Sequence, residues 1–197
     1  MAPSNPEIIL RRLDEELTVR VELTLIGRAA LVLGYDPPVL GWDSGVTYDV
    51  DVVIPLDEEA ALDRNEPFWV ALERTNHLLR NSELFLSHIF LENQVIIGEG
   101  WRDRRVPMLL SGVDNLVLFR PASIDLLLTK MARADDPADR ADILQLIERE
   151  RFSLETIEAA FGSARCPDEA DLREQFEKSK SFVRRLFADR VRQNNRR

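Results

Sequence analysis

The sequence predicts an α/β N-terminal part followed by a helical C-terminal part, with the boundary between residues 120 and 121. Two observations carry this prediction. Apolar residues change from a helical to an alternating period near Val19, and beyond Pro121 only helical patterns remain. A chain of 197 residues with 45% hydrophobic and 31% charged residues is long enough to bury an ordinary core. We therefore expect an α/β domain over 1–120 and a helical region over 121–197.

The first elements follow from changes of period and from glycines. Residues 6–17 repeat apolar side chains at helical spacing, which predicts a surface helix. Residues 19–25 alternate apolar and polar side chains, which is typical of a strand covered on one side. Gly27 ends this strand, and the segment 28–33 favours a short helix that stops at Gly34.

Later elements alternate less regularly. The stretch "TYDVDVVIP" at 47–55 predicts the next strand, and 58–79 predicts one or two helices interrupted near Pro67. Strand-like runs between 84 and 119 complete the sheet. The four helical segments after Pro121 are separated by Pro137, Ser153 and Pro167.

Charge and composition exclude some classes of partner. A net charge of −9 argues against a protein that coats nucleic-acid phosphates, although 184–197 concentrates arginines that either contact RNA or complement a helix dipole. The lone Cys166 has no partner for an internal disulfide. Because no apolar run is long enough for a membrane span, we expect a cytoplasmic protein without a membrane partner.

Asp49 and Asp51 are the main candidate site residues. Residues two apart in a strand share a face, so both carboxylates point to one side while Val50 and Val52 take the other. Two neighbouring carboxylates repel each other, and a hard divalent cation such as Mg²⁺ suits their oxygens. The pair therefore predicts a Mg²⁺ site for phosphoryl or nucleotidyl transfer; solvated aspartates at a strand end are the alternative.

Two segments resemble the nucleotidyltransferase superfamily of the polymerase-beta type. In "LIGRAALVLGY" followed by "TYDVDVV", a glycine turn opens a helix and the next strand carries D-x-D. The segment "FRPASIDLLLTKMARADDPADRADILQLI" resembles a small bacterial subgroup related to the toxins of abortive-infection systems. The resemblance implies an α/β (α+β) fold with a nucleotidyltransferase-like mixed sheet and flanking helices, followed by a C-terminal helical bundle.

The resemblance also assigns residues. It implies that Asp49 and Asp51 are catalytic metal ligands, that Gly27 forms the phosphate-side turn, and that Lys130 contacts nucleotide phosphates. Lys130 lies at the margin of a buried helical stripe, where a plain surface lysine is the other interpretation. The family's second turn residue is small, whereas Arg28 stands here. Its guanidinium either binds phosphate bidentately or blocks the pocket.

Other candidates are assigned by position. Active family members place a third carboxylate on a later strand as base, and Asp114 is the candidate for this role, with Asp103 behind it. Asp142 lies beside the buried face of its helix and is a candidate nucleotide contact, although acidic residues at a helix start also act as caps. His88 shows no metal-ligand spacing with another histidine.

The predicted function is Mg²⁺-dependent transfer of a nucleotidyl group from a nucleoside triphosphate to an RNA, protein or small acceptor, in a toxin-like role. The alternative is a catalytically degenerate member of the same fold that binds a partner within a toxin–antitoxin pair. A D-x-D glycosyltransferase ranks last, because it needs a longer nucleotide-binding region before the pair. Trp42, Trp69 and Trp101 are candidates for stacking on a base, although tryptophan usually packs in a core or at its rim.

Overall fold

The computed structural model describes residues 3–36 and 47–194. Its contacts divide the chain into two compact units, the first formed by 1–92 and 102–121 and the second by 93–101 and 122–197. The strands are β1 Val21–Ile26, β2 Asp49–Ile54, β3 Phe85–Leu91, β4 Ile97–Gly98, β5 Val106–Met108, β6 Leu116–Arg120 and β7 Ala164–Arg165. The helices are α1 Asn5–Glu16, α2 Gly27–Leu33, α3 Glu59–Asp63, α4 Glu66–Leu79, α5 Ser123–Thr129, α6 Pro137–Glu150, α7 Leu154–Ser163 and α8 Ala170–Asn194.

A mixed five-stranded sheet in the order β3-β2-β1-β6-β5 forms the centre of the first unit. The β1 strand runs antiparallel to β2 and parallel to β6, while β2 and β3 are parallel and β5 and β6 are antiparallel. A glycine turn and the short helix α2 follow β1, so the chain leaves the sheet and returns beside the same strand. This mixed sheet with flanking helices confirms the coarse fold class predicted from the sequence.

One face of the sheet is apolar and packs against helices. Val50 and Val52 of β2 and Leu25 of β1 are fully buried there. Helices α1 and α2 contact β2, α2 also contacts β1, and α4 contacts β3. Because side chains alternate along a strand, the polar residues of β2 project from the other face. The sheet therefore has an apolar face covered by helices and a face that carries Asp49 and Asp51.

A side chain of α4 hydrogen-bonds part of the free backbone edge of β3. The Asn76 side chain donates a hydrogen bond to the Leu86 carbonyl at 3.0 Å and accepts one from the Leu86 N–H at 2.9 Å. Satisfying these groups removes part of the open edge to which another strand would pair. The Asn65 side chain caps α4 by accepting a hydrogen bond from the Phe68 N–H at 3.2 Å. The helix break that the sequence predicts near Pro67 therefore lies between α3 and α4, and Pro67 occupies the first turn of α4.

The second unit contains α5, α6, α7 and α8, whose buried face includes Leu127, Leu146, Ile157 and Val183. Asp136 caps α6 and Ser153 caps α7, in agreement with the predicted breaks between helices. One feature departs from the prediction of helices alone: the two-residue β7 pairs antiparallel with β4. No helix among the described residues is both long and apolar enough to cross a membrane.

Candidate functional site

The two aspartates lie on β2, as the alternation of this strand predicts. Both side chains are half-buried, and they share the face opposite Val50 and Val52. Asp51 pairs with Ile26 at the end of β1, so it lies beside the turn into α2. The Thr47 hydroxyl, just before the strand, donates a hydrogen bond to Asp49 Oδ1 at 3.1 Å. The Asp49 carboxylate is therefore oriented by a residue two positions before it in the chain.

A bulge in the neighbouring strand brings two further polar side chains to Asp51. Along β3, Leu86 pairs with Val50 but His88 pairs with Asp51, so Ser87 is the extra residue. The Ser87 hydroxyl lies 3.1 Å from Asp51 Oδ1 and 3.5 Å from Asp49 Oδ2. One serine thus bridges the two carboxylates.

His88 contacts the same carboxylate oxygen. Its Nδ1 lies 3.1 Å from Asp51 Oδ1, and its side chain is 61% exposed. An ionised carboxylate only accepts hydrogen bonds, so Nδ1 is the protonated nitrogen in this contact. The other ring nitrogen, Nε2, makes no hydrogen bond to the residues that the structure describes.

Gly27 allows the turn after β1 to lie against the site. Its φ is +64°, in the left-handed region, and a Cβ placed on it would lie 3.3 Å from Asp51 Oδ2. Glycine adopts this backbone without strain and leaves room for the carboxylate. Arg28 follows it as a half-buried residue in α2.

Burial raises the pKa of Asp51, and the negative charge of Asp49 raises it further. Hydrogen bonds from His88 and Ser87 act in the opposite direction and lower it. The ionised Asp51 is therefore held at a cost, because it is partly desolvated beside a second carboxylate. A bound cation would offset both effects.

The structure brings together three of the predicted site residues, namely Gly27, Asp49 and Asp51, and Arg28 follows Gly27 in the chain. It does not bring Asp114 to them. Asp114 precedes β6, which starts beside Val21, whereas Asp51 lies beside the far end of β1. Five residues of strand span about 17 Å. The Asp114 main chain instead donates to the Asp14 side chain at 2.9 Å. Its assignment as the third catalytic carboxylate is therefore corrected.

Lys130 and Asp142, both predicted as nucleotide contacts, lie together in the second unit. The Lys130 ammonium is 2.9 Å from Asp139 Oδ1 and 2.9 Å from Asp142 Oδ2. All three side chains are buried, with at most 9% exposure, and the Arg133 guanidinium also contacts Asp139 at 2.7 Å. Lys130 therefore neutralises buried carboxylates of its own unit.

The sequence did not single out Ser87, His88 or Thr47 as site residues. Of the tryptophans considered for stacking, Trp42 lies outside the described residues and Trp101 is buried. Trp69 is on α4, and its indole N–H donates to the Leu62 carbonyl at 2.9 Å.

Comparisons of the chain with protein-family models, with curated proteins and with solved structures found no match.

Proposed function

We propose that this chain is a Mg²⁺-dependent nucleotidyltransferase that moves a nucleotidyl group from a nucleoside triphosphate to a hydroxyl of an RNA, protein or small acceptor. The observation that carries the proposal is the close approach of the left-handed turn at Gly27 to the Asp51 carboxylate, where a Cβ added to the glycine would lie 3.3 Å from Oδ2, beside Asp49 on the same face. It brings together the glycine turn and the D-x-D pair on which the resemblance to the superfamily rests.

The donor set fits Mg²⁺ bound by a protein together with a phosphorylated substrate. Mg²⁺ usually takes one or two carboxylates and leaves its other positions to water and phosphate oxygens. Asp49 and Asp51 supply that number of carboxylates. Among the described residues, no group of three histidine, cysteine, aspartate or glutamate side chains could hold a metal by itself. When bound, Mg²⁺ would neutralise phosphate charge and polarise the phosphoryl oxygens.

In this proposal His88 takes the role of the missing third carboxylate. Its Nδ1 is engaged by Asp51, which leaves the exposed Nε2 to accept a proton from the acceptor hydroxyl. The acceptor oxygen then forms a bond to the α-phosphorus, the bond between this phosphorus and the bridging oxygen breaks, and pyrophosphate leaves with the electron pair. Asp51 stabilises the imidazolium that results.

Calorimetry with Mg²⁺ and ATP tests the binding step. We expect wild type and Asp63→Asn, which changes an exposed aspartate of α3, to bind ATP in a Mg²⁺-dependent way. The double variant Asp49→Asn with Asp51→Asn should lose this binding. Unchanged Mg²⁺-dependent binding in the double variant would remove the metal role from the proposal.

The loss would not reflect unfolding. Because the folded state raises the pKa of Asp51, its stabilising contribution exists only at low pH and is lost as pH rises through the folded pKa. At neutral pH without Mg²⁺, the ionised carboxyl therefore costs stability that an amide does not. The Asp51→Asn change should leave the urea midpoint equal to that of wild type or raise it.

A non-catalytic protein that binds a nucleotide or a toxin or antitoxin partner is the second candidate. It is favoured by the identity of the residues beside the pair, since β3 offers Ser87 and His88 instead of a carboxylate. Incubating the protein with Mg²⁺, each α-labelled nucleoside triphosphate and a cell extract separates the two functions. Label in RNA, protein or a small acceptor supports the enzyme, whereas binding without transfer for all four nucleotides supports the second candidate.

A further inference from the structure

Aromatic rings line the edge strand beside the aspartate pair. In the register of β2 and β3, Phe85 is the partner of Asp49, and His88 is the partner of Asp51. Residues paired in this way project from the same face of a sheet. The backbones of Phe85 and His88 therefore lie one strand spacing, about 4.8 Å, from those of the two aspartates.

Phe85 differs from its neighbours in exposure. It is 36% exposed, whereas Leu86, which points to the helix-covered face, is 3% exposed. The exposed part of this ring adds nothing to the hydrophobic stabilisation, which comes from burial. That part of the side chain is therefore open to a ligand.

The other rings of the strand are already paired. His88 stacks on Phe90 with ring centroids 5.3 Å apart and an interplanar angle of 14°. Phe85 makes no ring contact with another residue in the described part of the chain. A partly exposed ring without an aromatic partner in the described residues thus lies beside Asp49.

We propose that Phe85 is the residue on which the base of the bound nucleotide stacks. The inference rests on the proposed function, because it takes the phosphates to be held at Asp49 and Asp51. The base and the phosphates of a nucleotide lie on either side of one ribose, and Phe85 lies one strand away from the carboxylates. Every base has a π-face, so stacking on Phe85 gives affinity with little choice among the four bases.

The variant Phe85→Leu tests this role, because it keeps an apolar side chain on the strand but removes the ring. Two ligands are titrated in the presence of Mg²⁺, namely ATP and tripolyphosphate, which lacks a base. Loss of the ring on which the base stacks is expected to weaken ATP binding by roughly 5- to 150-fold. Tripolyphosphate binding should stay unchanged. The variant Phe85→Trp, which restores a ring, should bind ATP at least as tightly as wild type.

Trp69→Leu is the matched control. Trp69 is 37% exposed, close to the value for Phe85, but it lies on α4, which packs against the sheet's apolar face. Removing this ring should leave both affinities unchanged. An equal loss of ATP affinity in Trp69→Leu and Phe85→Leu would overturn the assignment.

The two ligands distinguish failure of this inference from failure of the proposed function. If tripolyphosphate binds through Asp49 and Asp51 but Phe85→Leu binds ATP like wild type, the stacking role is refuted and the proposed function stands. If Phe85→Leu weakens both ligands equally, the ring acts on the structure of the site and the stacking role is again refuted. If neither ligand binds with Mg²⁺, both proposals fail.

Discussion

Replacing Gly27 by alanine tests whether the turn after β1 shapes the carboxylate site. The backbone at Gly27 has a φ of +64°, and a residue with a Cβ pays about 1–2 kcal/mol in this region. Alanine also restricts the unfolded chain, which offsets about 0.4–1 kcal/mol of that loss. We expect Gly27→Ala to lower the free energy of unfolding by about 1 kcal/mol.

The control is Gly162→Ala. Gly162 lies in α7, and nothing lies within 4 Å of the position its Cβ would take. Gly162 is in the last turn of α7, where alanine is favoured over glycine by up to about 0.5–1 kcal/mol, so this variant should be at least as stable as wild type. Of the two alanine substitutions, only Gly27→Ala should therefore lower the free energy of unfolding.

Urea unfolding followed by far-UV circular dichroism measures both changes. With a slope of about 1–3 kcal/mol per molar urea, a loss of about 1 kcal/mol moves the midpoint by about 0.3–1 M. The Cβ added by Gly27→Ala would lie 3.3 Å from Asp51 Oδ2, closer than an ordinary contact, so the carboxylate must shift by a few tenths of an ångström. The affinity for Mn²⁺, used as a spectroscopic substitute for Mg²⁺, should fall as well. A Gly27→Ala protein as stable as wild type, with the same Mn²⁺ affinity, would refute the reasoning.

The remaining predictions concern the second unit. Lys130→Met should lower the free energy of unfolding by about 3–5 kcal/mol, because it leaves two buried carboxylates without their shared cation. Lys178→Ala, which breaks a fully exposed pair, should leave the midpoint of the same urea titration at the wild-type value, and equal losses in the two variants would contradict a structural role for Lys130. Asp136→Ala removes the cap of α6 and should cost about 1 kcal/mol at neutral pH. The Asp139 backbone N–H and nearby cations hold the pKa of Asp136 below its usual range, so this contribution is lost as pH falls through the folded pKa; a loss that stays constant into acid would contradict it.

The elements that local signals determine could be predicted from the sequence. Strand alternation placed Asp49 and Asp51 on one face, and the change of period after residue 17 separated α1 from β1. Asn65 and Ser153 cap the helices that follow them, which explains why the sequence predicts helix breaks near these positions. These features depend on neighbouring residues alone, so they survive in a single sequence.

The rest depends on which strands become neighbours. Strict alternation from Phe85 would place Ser87 on the aspartate face and His88 on the opposite one. The bulge at Ser87 changes this parity, so that His88 also reaches Asp51. The assignment of Asp114 as the third carboxylate was wrong for a related reason. Only the pairing of the strands shows that β6 starts beside Val21, at the end of β1 away from Asp51. The burial of Lys130 likewise depends on how α6 packs, which its own helix does not indicate.

Three unfavourable or restrictive features lie around Asp51. Gly27 adopts a left-handed backbone beside it, the bulge at Ser87 interrupts the adjacent ladder, and Asp49 places a second carboxylate on the same face. Each feature costs stability or restricts the residues allowed, and an apolar side chain at position 51 would avoid the charge repulsion and the desolvation. Such costs persist where the local arrangement serves binding or chemistry. A cation held between the carboxylates would offset the repulsion and give the turn, the bulge and the pair a single purpose.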